Sequence, residues 1–327
     1  MFISSCIPNK KRMKTLLFVS LSAGVFASKL NEWPVIGMFT QPSSSSNAEC
    51  GGDCLYLAAS YVKQIESAGA RVVPINYYAS NEQLDYLFDS LNGFFFVGGG
   101  ASFPQSAQYI FDRTVAANDA GDFMPLWGTC MGFQWLLISA SRDVDVLDPK
   151  DGQFDAYNIS LPLEFTPSAR NSKLFKNAPK GVYEILESRN VTMNNHHYGI
   201  YTEHFQQTES ISSFFDMLSV NKDRQGVEFV STMEAFNYPI YGVQWHPEKN
   251  TYEWQRENNA PYEAIDHSPE AVYIAQYTAN FFVEQTRHNF HHFPSDEEED
   301  KHLIFNYHST RSGPSFVETY YFDNDFF

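Results

Sequence analysis

Gly93-Phe94-Phe95-Phe96-Val97 runs directly into Gly98-Gly99-Gly100. An apolar run without alternation is the mark of a strand covered on both faces, as in a parallel sheet packed between helices. The glycines after it mark a turn at the strand's C-terminal end. Outward from this stretch, strand and helix alternate. Val35 to Phe39 reads as a strand, closed by Gln41-Pro42 and a serine run. Leu55 to Ala68 carries apolar residues at helical spacing (Leu55, Ala58, Ala59, Val62, Ile65), with Gly69 placed to stop the helix. Arg71 to Ile75 is a strand. Ser80 with Gln83 forms a capping-box signature before a helix bearing Leu84, Leu87 and Phe88. A helix around 106–120 and a strand at Met124–Trp127 follow. This alternation argues for βαβ units and an α/β fold: a mostly parallel central sheet flanked by helices. Right-handed crossovers gather the C-terminal strand ends on one edge, where such sheets carry their sites.

The second half reads differently. Asn158–Phe165, Val182–Glu187, Val227–Phe236 and Pro239–Trp245 have strand character, the last two joined by a tight turn at Asn237-Tyr238. A helix from about Pro269 to Phe290 precedes the acidic run Asp296–Asp300, which reads as a solvated loop. There is no internal repeat and no Pro- or Gly-rich linker, so residues 29–327 are expected to form a single domain.

The chain has 327 residues, 22 Lys+Arg against 39 Asp+Glu, and a formal net charge of −17. Such acidity disfavours nucleic acid and anionic membrane surfaces as partners. Residues 1–28 stand apart. Lys10, Lys11, Arg12 and Lys14 precede an apolar run from Leu16 to Phe26, and Val25 and Ala27 sit at the small-residue positions of a cleavage site. This is the pattern of a secretory signal peptide, with translation starting at Met1 or Met13. The leader holds four basic residues and no acidic one, so the rest of the chain carries −21. A secretory route exposes cysteines to oxidation. Cys50 and Cys54 can close a small loop as a disulfide; zinc is the weaker reading, because C-x3-C has no partner pair nearby. By subtraction Cys130 is the free thiol. The sequons at Asn158 and Asn190 are candidate glycosylation sites that fit the same route.

Gly128-Thr129-Cys130-Met131-Gly132 follows a predicted strand and precedes a helix-compatible run. Glycines two residues either side of a cysteine permit a sharp strand-to-helix turn that presents the side chain above the sheet edge. A thiol at a helix N-terminus is favoured as thiolate. The alternative is a buried structural cysteine between two turn glycines. Met131 N–H is placed to bind an oxyanion, and Gly99, on the same sheet edge, can supply a second donor. His246, in Gln244-Trp245-His246-Pro247-Glu248, ends an apolar strand from which it can serve as base, with Glu248 near enough to orient it.

Together these motifs resemble the class I glutamine amidotransferase-like fold, a flavodoxin-like three-layer architecture, and more narrowly the γ-glutamyl hydrolases. The resemblance extends through Ala58-Ala59-Ser60-Tyr61-Val62-Lys63, Glu66–Ile75, Tyr238–Lys249 and Tyr252-Glu253-Trp254, covering the chain from about Pro34 onward. It implies a cysteine-dependent hydrolase that cuts γ-glutamyl amide bonds of folylpoly-γ-glutamates through a thioester. Cys130 is then the nucleophile, His246 the base and Glu248 the third member. A family histidine in a segment like Thr192-Met193-Asn194-Asn195-His196 adds His196 to the site. The resemblance implies no metal or cofactor, a secreted or lysosomal (vacuole-like) location, and often a homodimer. The sequence departs from the family at Gln134, where Glu is common, and near Tyr198, where Trp is. Two other readings stand beside it: a glutamine amidotransferase subunit, which a signal peptide argues against, and a non-catalytic secreted binding protein of the same fold. A metal site at His196-His197 or His288, His291 and His292 is a third.

Overall fold

The computed structural model describes residues 29–43, 54–149, 154–313 and 315–327. The expected leader, Cys6 and Cys50 lie outside them. Eight strands form the central sheet, in the order Arg71–Ile75, Val35–Phe39, Gly93–Phe96, Leu126–Thr129, Ile240–Val243, Glu228–Ala235, Phe215–Lys222 and Glu164–Phe165. The first five are parallel and the last three join antiparallel. Val35–Phe39, Gly93–Phe96, Leu126–Thr129 and Ile240–Val243 are buried along their whole length, the environment that unbroken apolar runs require. The helices fall into two groups. Ala59–Ser67 packs with Pro269–Thr286, and Gln105–Asp119 packs with Asn81–Phe88 and Met131–Ser141. The sheet lies between them.

The Ser80 capping box is present in both directions: Ser80 Oγ accepts from Gln83 N, and Gln83 Oε1 accepts from Ser80 N. Such a cap is worth about 1 kcal/mol and fixes where the helix begins.

Three sequence expectations are corrected. Leu55–Ala58 is a strand, not the first turn of a helix; it pairs antiparallel with Glu318–Phe322, and the helix starts at Ala59. A partner more than 250 residues away is invisible to local periodicity. Val182–Glu187 belongs to a helix, Lys180–Ser188, which buries Val182, Tyr183 and Leu186 on one face. Those positions fit a 3.6-residue period, although valine, tyrosine and isoleucine favour strands. The acidic run forms the helix Asp296–His302 instead of a loop. Ser295 Oγ accepts from Glu298 N, and Asp296, Glu297, Glu298 and Glu299 all occupy the first turn, where the helix dipole favours negative charge. Arg71 pairs with Glu299, tying this helix to an edge strand of the sheet.

A second sheet, in the order Thr310–Arg311, Glu318–Phe322, Leu55–Ala58 and Gln41–Pro42, connects the C-terminal segment to the residues just after the Val35–Phe39 strand. Cys54 is disulfide-bonded, with its partner outside the described residues, and Cys130 is a free, buried thiol. Among the described residues, no helix is long and apolar enough to cross a membrane.

Candidate active site

Cys130 stands between the strand Leu126–Thr129 and the helix Met131–Ser141, at φ +53° and ψ −107°. A cysteine in that region costs about 1–3 kcal/mol and persists only where its surroundings hold it. Here Cys130 N donates to Val243 O at 2.8 Å, and Cys130 O accepts from Gln134 N at 3.1 Å. The flanking glycines are required by space. A Cβ on Gly132 would lie 2.0 Å from Phe96 O, and one on Gly128 would lie 2.5 Å from Gly132 O. The G-x-C-x-G spacing thus lets the helix start hard against the strand while the thiol sits at the helix's N-terminus.

His246 follows the strand Ile240–Val243, which lies in the sheet beside Leu126–Thr129. Its backbone N donates to Met193 O at 2.8 Å. Its ring is hydrogen-bonded to Cys130, and Nδ1 donates to Glu248 Oε1 at 2.7 Å. Glu248 is fully buried. Burial by itself would push His246 down, but the charges of Glu248 and Cys130, and hydrogen bonds to both, raise it to about 10. The ring therefore carries its proton at neutral pH, facing the sulfur on one side and the carboxylate on the other.

Gly98 closes the other wall. A Cβ there would meet His246 Cε1 at 2.7 Å and Cys130 Cβ at 3.1 Å, so the glycine turn and the thiol share one edge as expected. Two residues that sequence reasoning missed hold this turn. Tyr61, buried on the helix Ala59–Ser67, accepts from Gly98 N at 3.0 Å and stands 3.2 Å from His246 Nδ1. Burial first, then the charges of Glu248 and Cys130, keep its hydroxyl protonated well above the ordinary tyrosine range. Gln41 Nε2 donates to Gly98 O. The available signals were a phenol on the buried face of a helix and an amide two residues past a strand end at the site edge.

His196 lies close enough to His246 for charge to act between them, but its hydrogen bonds go elsewhere. Nδ1 is 2.9 Å from Tyr198 O and Nε2 is 3.2 Å from Asn194 Oδ1, with the ring edge-on to Phe229. Burial outweighs the Tyr198 bond and pushes His196 down to about 3, so this ring is neutral. Gln134 Nε2 donates to the same Tyr198 O at 2.7 Å. That bond needs an N–H, and through it the amide ties the Cys130 helix to the His196 segment.

The remaining candidate histidines serve structure. His197 stacks on Tyr157, and His291 bridges Phe88 O and Asp122. Among the described residues, no three His, Cys, Asp or Glu side chains are grouped to hold a metal ion. Asn190 is exposed. Asn158 is half-buried, and its Oδ1 accepts from Ala264 N.

The family model described as Peptidase C26 matches residues 34–248, a span that includes Cys130, His246 and Glu248. γ-Glutamyl hydrolase B of Dictyostelium discoideum is 42% identical over 288 residues, covering 86% of this chain and 80% of that protein. The γ-glutamyl hydrolase of Bos taurus is 39% identical over 297 residues, covering 89% and 90%. γ-Glutamyl hydrolase 1 of Arabidopsis thaliana is 35% identical over 290 residues, covering 87% and 80%.

Proposed function

Since the chain belongs to the peptidase C26 family, we propose that it is a cysteine-dependent γ-glutamyl hydrolase whose substrates are folylpoly-γ-glutamates. The observation that carries the chemistry is the line of Cys130, His246 and Glu248, with the imidazole hydrogen-bonded to both partners. The Cys130 thiolate attacks the γ-carbonyl carbon, and the charge that develops on oxygen is taken by Gly99 and Met131 N–H. His246, already protonated, gives its proton to the departing amine, which leaves as the thioester forms. Water then attacks the thioester, passing one proton to His246 and freeing the thiolate and a γ-carboxylic acid, which ionises to solvent. Glu248 fixes the ring and balances its charge at every stage. His196, neutral beside them, supports the site without adding a second positive charge.

Product analysis with defined pteroyl-poly-γ-glutamates, at acid and neutral pH, tests this. Release of glutamate or γ-linked glutamyl peptides by the wild type, abolished in Cys130→Ala, is expected. No γ-glutamyl cleavage at either pH would end the proposal, and retained cleavage in Cys130→Ala would remove Cys130 as nucleophile.

The same reading places the protein in the secretory pathway, released outside the cell or delivered to an acidic lysosome-like compartment. The leader pattern, the disulfide at Cys54 and the exposed sequon at Asn190 support it. Asn190 is the preferred glycan carrier over Asn158. A mobility shift on endoglycosidase treatment that persists in Asn190→Gln would refute that preference.

A further inference from the structure

We propose that Gln41 is a positioning residue for the oxyanion site, acting by fixing the peptide plane between Gly98 and Gly99. The inference rests on the assignment of Gly99 N–H as an oxyanion donor. A peptide unit is planar, and in the trans form its C=O and N–H point in opposite directions. The unit that carries Gly98 O therefore also carries Gly99 N–H, and no cis bond occurs here. Whatever holds the oxygen aims the N–H.

Gln41 holds that oxygen. The residue is 2% exposed, and Nε2 donates to Gly98 O. The orientation of the amide is not arbitrary, because a carbonyl oxygen can only accept, which places the NH2 group against it. Tyr56 Oη, 3.4 Å from Gln41 Oε1, lies on the amide's other end. Contact is close enough that a Cβ on Gly99 would lie 1.8 Å from Gln41 Oε1, so only glycine fits beside the amide. Gly98 N–H is meanwhile occupied by Tyr61 Oη. Gly98 is thus pinned at both ends, and Gly99 N–H is the next donor along the turn. Gln41 itself reaches this point from the short strand Gln41–Pro42, two residues beyond the buried strand Val35–Phe39, so its anchor is the sheet itself.

Gln41→Glu is the informative variant. An ionised carboxylate has the same length, but it cannot donate and it repels Gly98 O; a protonated carboxyl can donate. Relative to wild type at each pH, kcat should fall by about 10²-fold at neutral pH, the cost of losing one oxyanion donor. KM should change by no more than about threefold, since the lost interaction forms in the transition state. The ratio should climb back towards one as pH drops below the carboxyl's pKa. Alkylation of Cys130 by iodoacetamide, which uses no oxyanion donor, should keep its wild-type rate. A ratio independent of pH, or slowed alkylation, would overturn the proposal in favour of a merely structural amide. If Gln41→Glu fails to fold, Gln41→Ala replaces the pH comparison with a single one: kcat should fall by about 10²-fold at every pH with KM and the alkylation rate unchanged, and a wild-type kcat there is equally fatal. Acylation by p-nitrophenyl acetate is followed in parallel. An enzyme that is acylated by the ester but leaves γ-glutamyl substrates intact refutes the substrate reading and still reports on Gln41.

Discussion

Tyr61 Oη lies 3.2 Å from Nδ1 of His246, the same nitrogen that donates to Glu248 at 2.7 Å. Through the Gly98 amide, which it accepts at 3.0 Å, this hydroxyl links the acid–base pair to the glycine turn. The helix Ala59–Ser67 therefore sets the distance between the two halves of the site. A hydroxyl can accept from one partner and donate to another, which suits Tyr61 to a place between an amide and an anion.

Tyr61→Phe separates these duties from packing, since the ring remains. Gly98 N–H loses its partner, and a buried unsatisfied donor costs about 1–3 kcal/mol. Unfolding in urea should show that loss, and steady-state kinetics should show kcat reduced about 10- to 100-fold with KM little changed. A variant with wild-type kcat would mean that the turn is held without the hydroxyl.

Glu248→Gln addresses the charge on the ring. Burial pushes His246 down, and Glu248 is the foremost influence raising it to about 10. With the carboxylate neutralised, the imidazolium loses its proton at lower pH. The protonated ring delivers the proton to the leaving amine, so the alkaline limb of the kcat profile should move to lower pH. The rate itself should fall by about 10²–10⁴-fold. An alkaline limb that stays where it is would show that Glu248 does not set the ring's protonation.

Much of this was legible in the sequence, and the division has physical causes. Gly93–Phe96 and Gly128–Met131 announce themselves because their burial and turn chemistry are local. Cys130, His246 and Glu248 stand out for the same reason, each in a turn shortly after a strand and close to glycine or proline. The strand Leu55–Ala58 was hidden because its partner, Glu318–Phe322, comes at the far end of the chain. The strand Phe215–Lys222 mixes burial with exposure and passed unread. Gln41 and Tyr61 were missed for a related reason: their importance lies in a contact with Gly98, not in any pattern of their own.

Gly132→Ala tests how tightly the elbow is built. The new methyl would meet Phe96 O at 2.0 Å, and a backbone oxygen in a buried strand cannot step aside. Destabilisation of about 3 kcal/mol or more is expected. At Gly100 a Cβ would meet nothing within 4 Å, so Gly100→Ala should change stability by no more than about 0.5 kcal/mol. Equal melting temperatures for the two variants would show that the Cys130 turn has slack.

Glu253 couples the stability of the fold to pH. It is buried, and its Oε2 accepts from Val317 N at 2.7 Å, joining the segment after Glu248 to the C-terminal part of the chain. Burial pushes its carboxyl up to about 7; Ser60, the Val317 amide and Lys249 pull it down, and Glu248 pushes it up again. The folded state therefore binds this proton more tightly than the unfolded chain, whose carboxyl titrates near 4.5. Stability from this group is present in full below that value and is lost as pH rises through 7. The loss is on the order of 2–3 kcal/mol. Urea unfolding at a series of pH values should show the wild type weakening across that window, while Glu253→Gln, which cannot ionise, is correspondingly flatter. Parallel curves for the two proteins would assign the pH dependence to other groups.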